Sequence, residues 1–521
     1  MQAALSTQTL TEKSYYKWLV TLNLMLGTVT TGISVMSVQL AFPRMMSNFG
    51  IDVVTIQWVV TAYMVANMLM MPLVGWLGGI LGNRNLYLTS LVTFMVASAL
   101  CSTAWSIGSL ISFRVLQGLS AGLMQPIAMA ILFSIFPPDQ RGLAMGVFSL
   151  GVAFGPSLGP VLGGYLIETL GWRSVFYVNV PIAIVAIAMT TFIMPKTTER
   201  RKISVDFLGL FTLFTFLIPL LIALTEGRTE GWDSGYILSL FAISAVSLVA
   251  FLLTELNARQ PVVDLSLFKY PSFSASCMVV FLYSLAYSGT LFLLYIFLQD
   301  GLGFSPIQAG FINLPGALVM AITGIIGGRV SDKVDPRIPI IFGLCLLAFA
   351  ASRISDFTIW TTLPYIMLVV CYRTFAFSWV NPPLNNAMLR AIPEEKVRMG
   401  SGLSGLMMGI GGSFGAAIFA SYFTKRQAYY MTLLSHNQQP DSLGTKLAMS
   451  TLRGVFENQR VGDTADLIRM KSLAVLRREV AQEATISGYH DCFFIVAMVF
   501  LLAILPAMFI SNPKKSQESD A

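Results

Sequence analysis

The sequence predicts an all-α integral membrane protein: fourteen transmembrane helices in two six-helix repeat bundles, with two helices inserted between the bundles. Three observations predict it. Of 521 residues, 55% are hydrophobic and only 11% are charged, less than half of the about 25% charged share of an average soluble domain. The apolar residues gather into runs that match the roughly 20 residues needed to cross a bilayer core. Several charged and glycine-rich features occur twice, at nearly constant spacing.

Apolar runs set against charged breaks place helices at 18–42, 56–77, 86–104, 107–136, 142–167, 174–195, 207–225, 235–256, 272–298, 307–328, 338–353, 361–390, 399–424 and 489–511. The first follows a polar segment, 1–17. The breaks 78–85, 137–141, 196–206, 257–271, 329–337 and 391–398 each carry Lys or Arg and follow every second helix. The runs 107–136 and 361–390 exceed one bilayer thickness and need tilt or an extension into water. The segment 425–488 is expected as the one long extracytoplasmic loop. In it Met470, Leu473, Leu476 and Val480 have helical spacing among charged neighbours and read as an amphipathic helix on the membrane or a partner.

An even number of spans puts both termini on one side, and Lys and Arg choose the side. With the N-terminus in the cytoplasm, the inner segments carry seventeen of these residues and the short outer loops three, as the positive-inside rule requires. The expected location is the cytoplasmic membrane with both termini inside. The first apolar run is too long for a signal-peptide core, so no cleavable signal is expected.

The repeat rests on three ordered pairs. Arg84 and Arg337 lie 253 positions apart, Arg114 and Arg373 259, and Arg141 and Arg398 257. The turn from Gly75 through Gly82 to Arg84 is matched by that from Gly328 through Asp332 to Arg337, and both are expected to gate. The expected units are 1–195 with six helices, 196–271 with the two inserted helices, and 272–521 with six more. Two repeated halves with a site at their interface is a transporter architecture. Helix five carries Gly151, Gly155, Gly159 and Gly163 at four-residue steps, with Pro156, Pro160 and Gly164 beside them. Helix thirteen carries Ser401, Gly405, Gly409, Ser413 and Ala417 at the same step. Such stripes let backbones approach closely, and their symmetric placement points to moving contacts between the halves.

A mid-span arginine costs at least about 2.5 kcal/mol to insert, so Arg114 and Arg373 are expected to face a cavity or a partner. No carboxylate stands in the middle of a span; Glu168, Glu226, Glu255, Asp300 and Asp491 lie at edges. Gln39, Asn67, Gln117, Gln125, Asn313 and Asn381 are candidates to line an aqueous path. Two fixed positive charges and no negative one disfavour a dicationic substrate. The five cysteines form no CxxC pair and read as packing residues. Two histidines, His436 and His490, cannot build a metal site alone. No metal, cofactor or nucleic-acid partner is expected, and no enzymatic cluster is present.

These residues resemble the major facilitator superfamily, and more closely its fourteen-helix drug:proton antiporters of the EmrB/QacA type. Gly75, Leu77, Gly82 and Arg84 match the motif between helices two and three, where the usual Asp is Gly79. Arg114, Gln117 and Gly118 match the fourth-helix motif, and the helix-five glycines and prolines match the antiporter motif. Trp172, Arg173, Phe176, Asn179, Pro181 and the run Pro261–Phe268 also fit. In the first helix Ala41 and Pro43 fit, but the acid implicated in coupling is Ser34 and the following Thr is Met36. The resemblance implies a major facilitator fold and a secondary transporter in the lipid bilayer. It would export small amphipathic compounds, neutral or anionic, by alternating access in exchange for protons. Arg114 would stabilise a substrate anion or a coupling acid, and Arg373 is a second candidate for that role. Edge carboxylates would carry the proton, Asp491 first, then Glu226 and Asp300. A periplasmic membrane-fusion adaptor is the implied partner. Export of an endogenous lipid or metabolite, or a transport-dead sensor or scaffold, are the alternative readings.

Overall fold

The computed structural model describes residues 15–194, 206–258, 260–437, 443–459 and 464–511. Among the described residues there are helices and no strands, and fourteen helices are long and apolar enough to cross a membrane. They are α1 Tyr16–Leu40, α2 Val53–Met70, α3 Asn83–Ser102, α4 Ile107–Ile135, α5 Arg141–Leu170, α6 Asn179–Ile193 and α7 Phe207–Glu230. The second seven are α8 Gly235–Asn257, α9 Pro271–Ile296, α10 Pro306–Lys333, α11 Arg337–Ser355, α12 Leu363–Arg390, α13 Val397–Asn437 and α14 Ala465–Leu502. The described chain begins and ends on one face of this bundle, hereafter the terminal face.

Local chemistry starts the helices. Asp52 accepts a hydrogen bond from Thr55 N (2.9 Å) at the head of α2. Ser106 with Ser109, and Ser305 with Gln308, form reciprocal caps on α4 and α10. Pro126, Pro156, Pro160, Pro219, Pro315, Pro382 and Pro383 lie inside helices without ending them. In a membrane bundle neighbouring helices and local adjustments satisfy the carbonyls that proline frees. Gly82, at φ 77°, makes the turn between the short helix Val74–Leu81 and α3.

Helices build most of the expected long loop. α13 has 41 residues and α14 has 38, so each is about 60 Å long at 1.5 Å per residue, twice the hydrocarbon thickness. The segment 425–488 is therefore mostly the continuation of these two spans, with the helix Leu443–Gln459 packed against α14. The expected apolar stripe seats this extension only in part: Val480 is buried and Leu476 half-buried. Met470 is 62% and Leu473 39% exposed, whereas Ile468, Ser472, Val480 and Ala484 are buried. Between the three helices lies a cavity of about 680 Å³ lined in part by Met431, Met449, Arg453, Leu473 and Arg477.

The helix-five stripe also differs from expectation. Gly151, Gly155, Gly159 and Gly163 all face α1, inside the first group of six helices, and not the second group. A Cβ on Gly155 would lie 3.0 Å from both Gly32 Cα and Val29 O, and one on Gly163 would lie 2.7 Å from Ser37 Cβ. Contact between the groups uses other positions of α5: Gly142 and Gly146 lie against Gly328 and Gly324 of α10, and Pro160 against Gly310. The α13 stripe does cross between groups, since Gly405 and Gly409 pack on Met71 and Met68 beside α2. The two stripes are equivalent in sequence but serve different interfaces.

This division predicts two different phenotypes. Gly155→Leu should lower thermal stability by about 1–3 kcal/mol, the usual cost of overpacking, without favouring one conformational state. Gly146→Leu should wedge α5 from α10, so a cysteine introduced as Asn83→Cys at the terminal face should label faster. Equal labelling of both leucine variants would contradict the assignment.

Candidate functional site

Arg114 sits in the middle of α4 and is fully buried. Its Nε donates to Val59 O (3.0 Å), and its Nη1 donates to Ser34 Oγ (3.0 Å) and Gln117 Oε1 (2.7 Å). Gln117 Nε2 donates in turn to Ser98 Oγ (2.7 Å). The guanidinium lies 4.1 Å from the centroid of the Tyr63 ring, a cation–π contact. Nη2 is buried without a hydrogen-bond partner. Ser34 of α1 is thus in direct contact with the arginine. Among the described residues no carboxylate pairs with Arg114.

Arg373 in α12 repeats the pattern. It is 4% exposed, its Nη2 donates to Asn313 Oδ1 of α10 (3.3 Å), and it lies 5.3 Å from the Tyr287 ring of α9. Its Nε and Nη1 are buried and unpartnered. Tyr287 packs on Phe377 (4.7 Å) and on Tyr283 (5.8 Å), so the second arginine is set in an aromatic cluster that composition alone could not locate.

The other expected path residues do not converge on one centre. Gln39 is exposed at the far end of α1, and Gln125 is half-buried in α4. The Asn67 backbone packs on Gly122, and Asn381 Oδ1 accepts from Asn385 Nδ2 (3.3 Å). Asp491 accepts from Arg426 Nε (2.5 Å) and from the Tyr430 hydroxyl (3.0 Å). Glu226 accepts from the Tyr236 hydroxyl (3.1 Å). The Asp300 side chain lies outside those described.

The terminal face holds a denser set of contacts between the two groups of six. Asp332 Oδ1 accepts from Gly142 N (2.8 Å) and Arg390 Nη2 (2.6 Å), and Oδ2 accepts from Leu143 N (2.9 Å). Asn386 Nδ2 adds a longer bond (3.4 Å). The carboxylate sits on the first backbone donors of α5, where the helix dipole also favours negative charge. Arg141 pairs with Glu394 (2.5 Å). Its repeat mate Arg398 donates to Gly78 O and to Asn83 Oδ1 (both 3.1 Å). Gly75 packs on Met399. Gly79 stands where Asp332 has its counterpart, so the first repeat has no carboxylate there, and Arg398 uses a carbonyl at a helix C-terminus instead. Arg84 and Arg337 act within their own groups: Arg84 Nη2 donates to Thr191 O (2.8 Å) and Arg337 Nε to Ile510 O. Of this seal, Asp332, Arg141 and Arg398 stood out in sequence. Arg390, Asn386 and Glu394 did not, because nothing local marks a residue whose partner is 50 to 250 positions away.

Asp332→Asn leaves Arg390 with only the Pro138 carbonyl and the head of α5 with one acceptor oxygen in place of two. Asp332→Asn should cost about 3 kcal/mol, the lower range for breaking one side of a buried pair. It should shift the thermal midpoint down and speed labelling of Asn83→Cys. An unchanged midpoint and rate would remove Asp332 from the seal.

Comparison with known proteins agrees with this architecture. The family model described as Major Facilitator Superfamily matches residues 24–416. The chain is 28% identical to the multidrug export protein EmrB of Escherichia coli (strain K12), over 95% of each chain. It is 26% identical to the fatty acid resistance protein FarB of Neisseria gonorrhoeae, over 95% of this chain and 96% of that protein. The crystal structure of the human organic anion transporter MFSD10 (TETRAN) superposes with a TM-score of 0.60 at 16% identity, covering 95% of this chain and 99% of that one, a likeness of fold. Fourteen spans, paired repeats and a family match across three quarters of the length give one conclusion: the chain is a multi-pass membrane protein that belongs to the major facilitator superfamily of transporters.

Proposed function

We propose that this transporter exports amphipathic, drug-like compounds, neutral or anionic, by alternating access and in exchange for protons. The observation that carries the substrate class is a charge balance. Arg114 and Arg373 are buried in repeat-related helices, and among the described residues neither has a carboxylate partner. A buried, unpaired guanidinium favours an anion over a cation, and the rings around Arg373 suit the apolar part of such a molecule. EmrB is named for multidrug export and FarB for fatty acid resistance, which supports the same class. Export of an endogenous amphipathic acid is a second reading, and the FarB likeness favours it.

In this reading the terminal face is cytoplasmic, in agreement with the seventeen inner and three outer basic residues. The units 1–195 and 272–521 rock against each other across the α5–α10 and α2–α13 contacts, and the Asp332 and Arg141 contacts hold the cytoplasmic side shut. Asp491 carries the counter-transported proton: protonation removes its charge from Arg426 and frees the ends of α13 and α14. The helices that project beyond the membrane on the far face would receive a periplasmic adaptor protein.

Reconstituted liposomes test the proposal. Efflux of a fluorescent amphipathic anion should accelerate under an imposed pH gradient and that of a dicationic dye should not. Arg114→Ala should slow efflux roughly ten- to a hundredfold, the equivalent of one charge-assisted hydrogen bond of about 1.5–3 kcal/mol. Arg114→Lys should recover part, since lysine lacks the planar fork. Ser34→Asp should raise thermal stability by giving Arg114 a counter-ion, and should weaken transport of anions. Rates indifferent to the gradient in wild type and in Asp491→Asn would overturn proton exchange. Wild-type efflux by Arg114→Ala would overturn its role with the substrate.

A further inference from the structure

A carboxylate is rarely buried unless a cation or hydrogen-bond donors compensate it. Glu255, near the end of α8, is 3% exposed. Its Oε2 accepts from Val263 N (3.3 Å), whereas Oε1 is buried with no donor. Asp206, the cap of α7, has the same imbalance. Its Oδ1 accepts from Gly209 N (2.8 Å), and Oδ2 is buried with no donor. Both orphaned oxygens point to one place. A Cβ on Gly209 would lie 2.7 Å from Asp206 Oδ2 and 2.8 Å from Glu255 Oε1, so the two oxygens are at most 5.5 Å apart.

Among the described residues the surroundings offer no other compensation. The linker that packs on Glu255 contributes Asp264, whose charge is already matched by Lys396 (2.6 Å). Burial raises the Asp264 carboxyl, but the hydrogen bonds from Lys396 and Ser266 outweigh it and hold the group below its usual range, so Asp264 stays charged. Among the described residues no cation pairs with Glu255 or Asp206, and none form a cluster of three or more His, Cys, Asp or Glu able to hold a metal ion. Asp206 lines an open cavity of about 560 Å³ together with Leu253, Thr254 and Asn257, and Glu255 lies behind this wall.

We infer that Glu255 and Asp206 bind one proton between them, taken up through the cavity at Asp206, which closes an O–H···O bridge between the head of α7 and the end of α8. One proton supplies the missing donor: one carboxyl becomes a neutral acid that donates, and the other stays a carboxylate that accepts. Without it two like charges face each other with no donor between them. The other oxygen of Glu255 holds the linker at Val263, so the proton also sets how firmly the inserted hairpin grips the segment leading to α9. The site is separate from the arginines and does not depend on the proposed substrate.

Infrared spectroscopy of the purified full-length chain across a pH titration tests it. Wild type should show the C=O band of one protonated carboxyl at neutral pH, lost as pH rises. Glu255→Gln and Asp206→Asn should each lack this band, because the amide supplies the missing donor, and Asn keeps the α7 cap. Asp264→Asn should retain it. The folded chain binds a proton that the unfolded chain gives up, so wild-type thermal stability should fall as pH rises through the same titration. That dependence should flatten in both amide variants. A band that persists in both variants, or is missing from wild type at neutral pH, overturns the inference. So does an identical stability–pH profile in all three proteins.

Discussion

Nothing in a hydrocarbon core can hydrogen-bond a protein group except the protein itself, and the rest of this structure depends on that constraint. It forces every span to be helical. It also governs the side chains: Arg114 collects Val59 O, Ser34 and Gln117 around it, and Gln117 passes the chain of bonds on to Ser98. Because burying apolar side chains drives helix association only weakly in lipid, close backbone approach through small residues takes over. Gly155 against Gly32, and Gly146 against Gly324, are the two clearest cases. One binds helices within a group and the other joins the groups.

The internal repeat is kept where packing needs it and abandoned where the two halves meet. Arg84 reaching Thr191 and Arg337 reaching Ile510 are equivalent ties of the third helix of a repeat to its sixth. Arg141 and Arg398 both reach across, but to different chemistry: a carboxylate for one, a carbonyl and an amide for the other. Asp332 on the head of α5 has Gly79 as its counterpart. A charge-assisted contact on one side and a neutral one on the other give the seal two strengths, so the α5 side is the firmer edge of the closed face.

The surroundings of Arg114 show a similar trade. A carboxylate at position 34 would neutralise Arg114 and return a titratable group to the middle of the first bundle. Ser34 instead leaves a fixed positive charge that one hydroxyl, one amide oxygen and the Val59 carbonyl solvate. The titratable groups that remain are at edges: Asp491 is tied to Arg426 and Tyr430, and Glu255 faces Asp206 across Gly209. The buried arginines and the edge carboxylates therefore stand in different parts of the molecule.

Sequence by itself determined the class of the fold, the number of spans, the repeat and the arginine pairs. Each is written in local composition or in spacing: a run long enough to cross the bilayer is apolar wherever it packs, and a mid-span charge is costly whatever surrounds it. Tertiary structure decided what those features touch. The stripe Gly151–Gly163 and the stripe Ser401–Ala417 look alike as sequence, yet one faces α1 and the other α2, because four-residue spacing defines a helix face and not its neighbour. The segment 425–488 looked like a loop because its charged residues broke the apolar run, and a helix that leaves the membrane has no reason to stop being helical once its polar face meets water. Arg390 on Asp332, and Glu255 on Asp206, join residues far apart in the chain, and only the packed bundle brings them within reach.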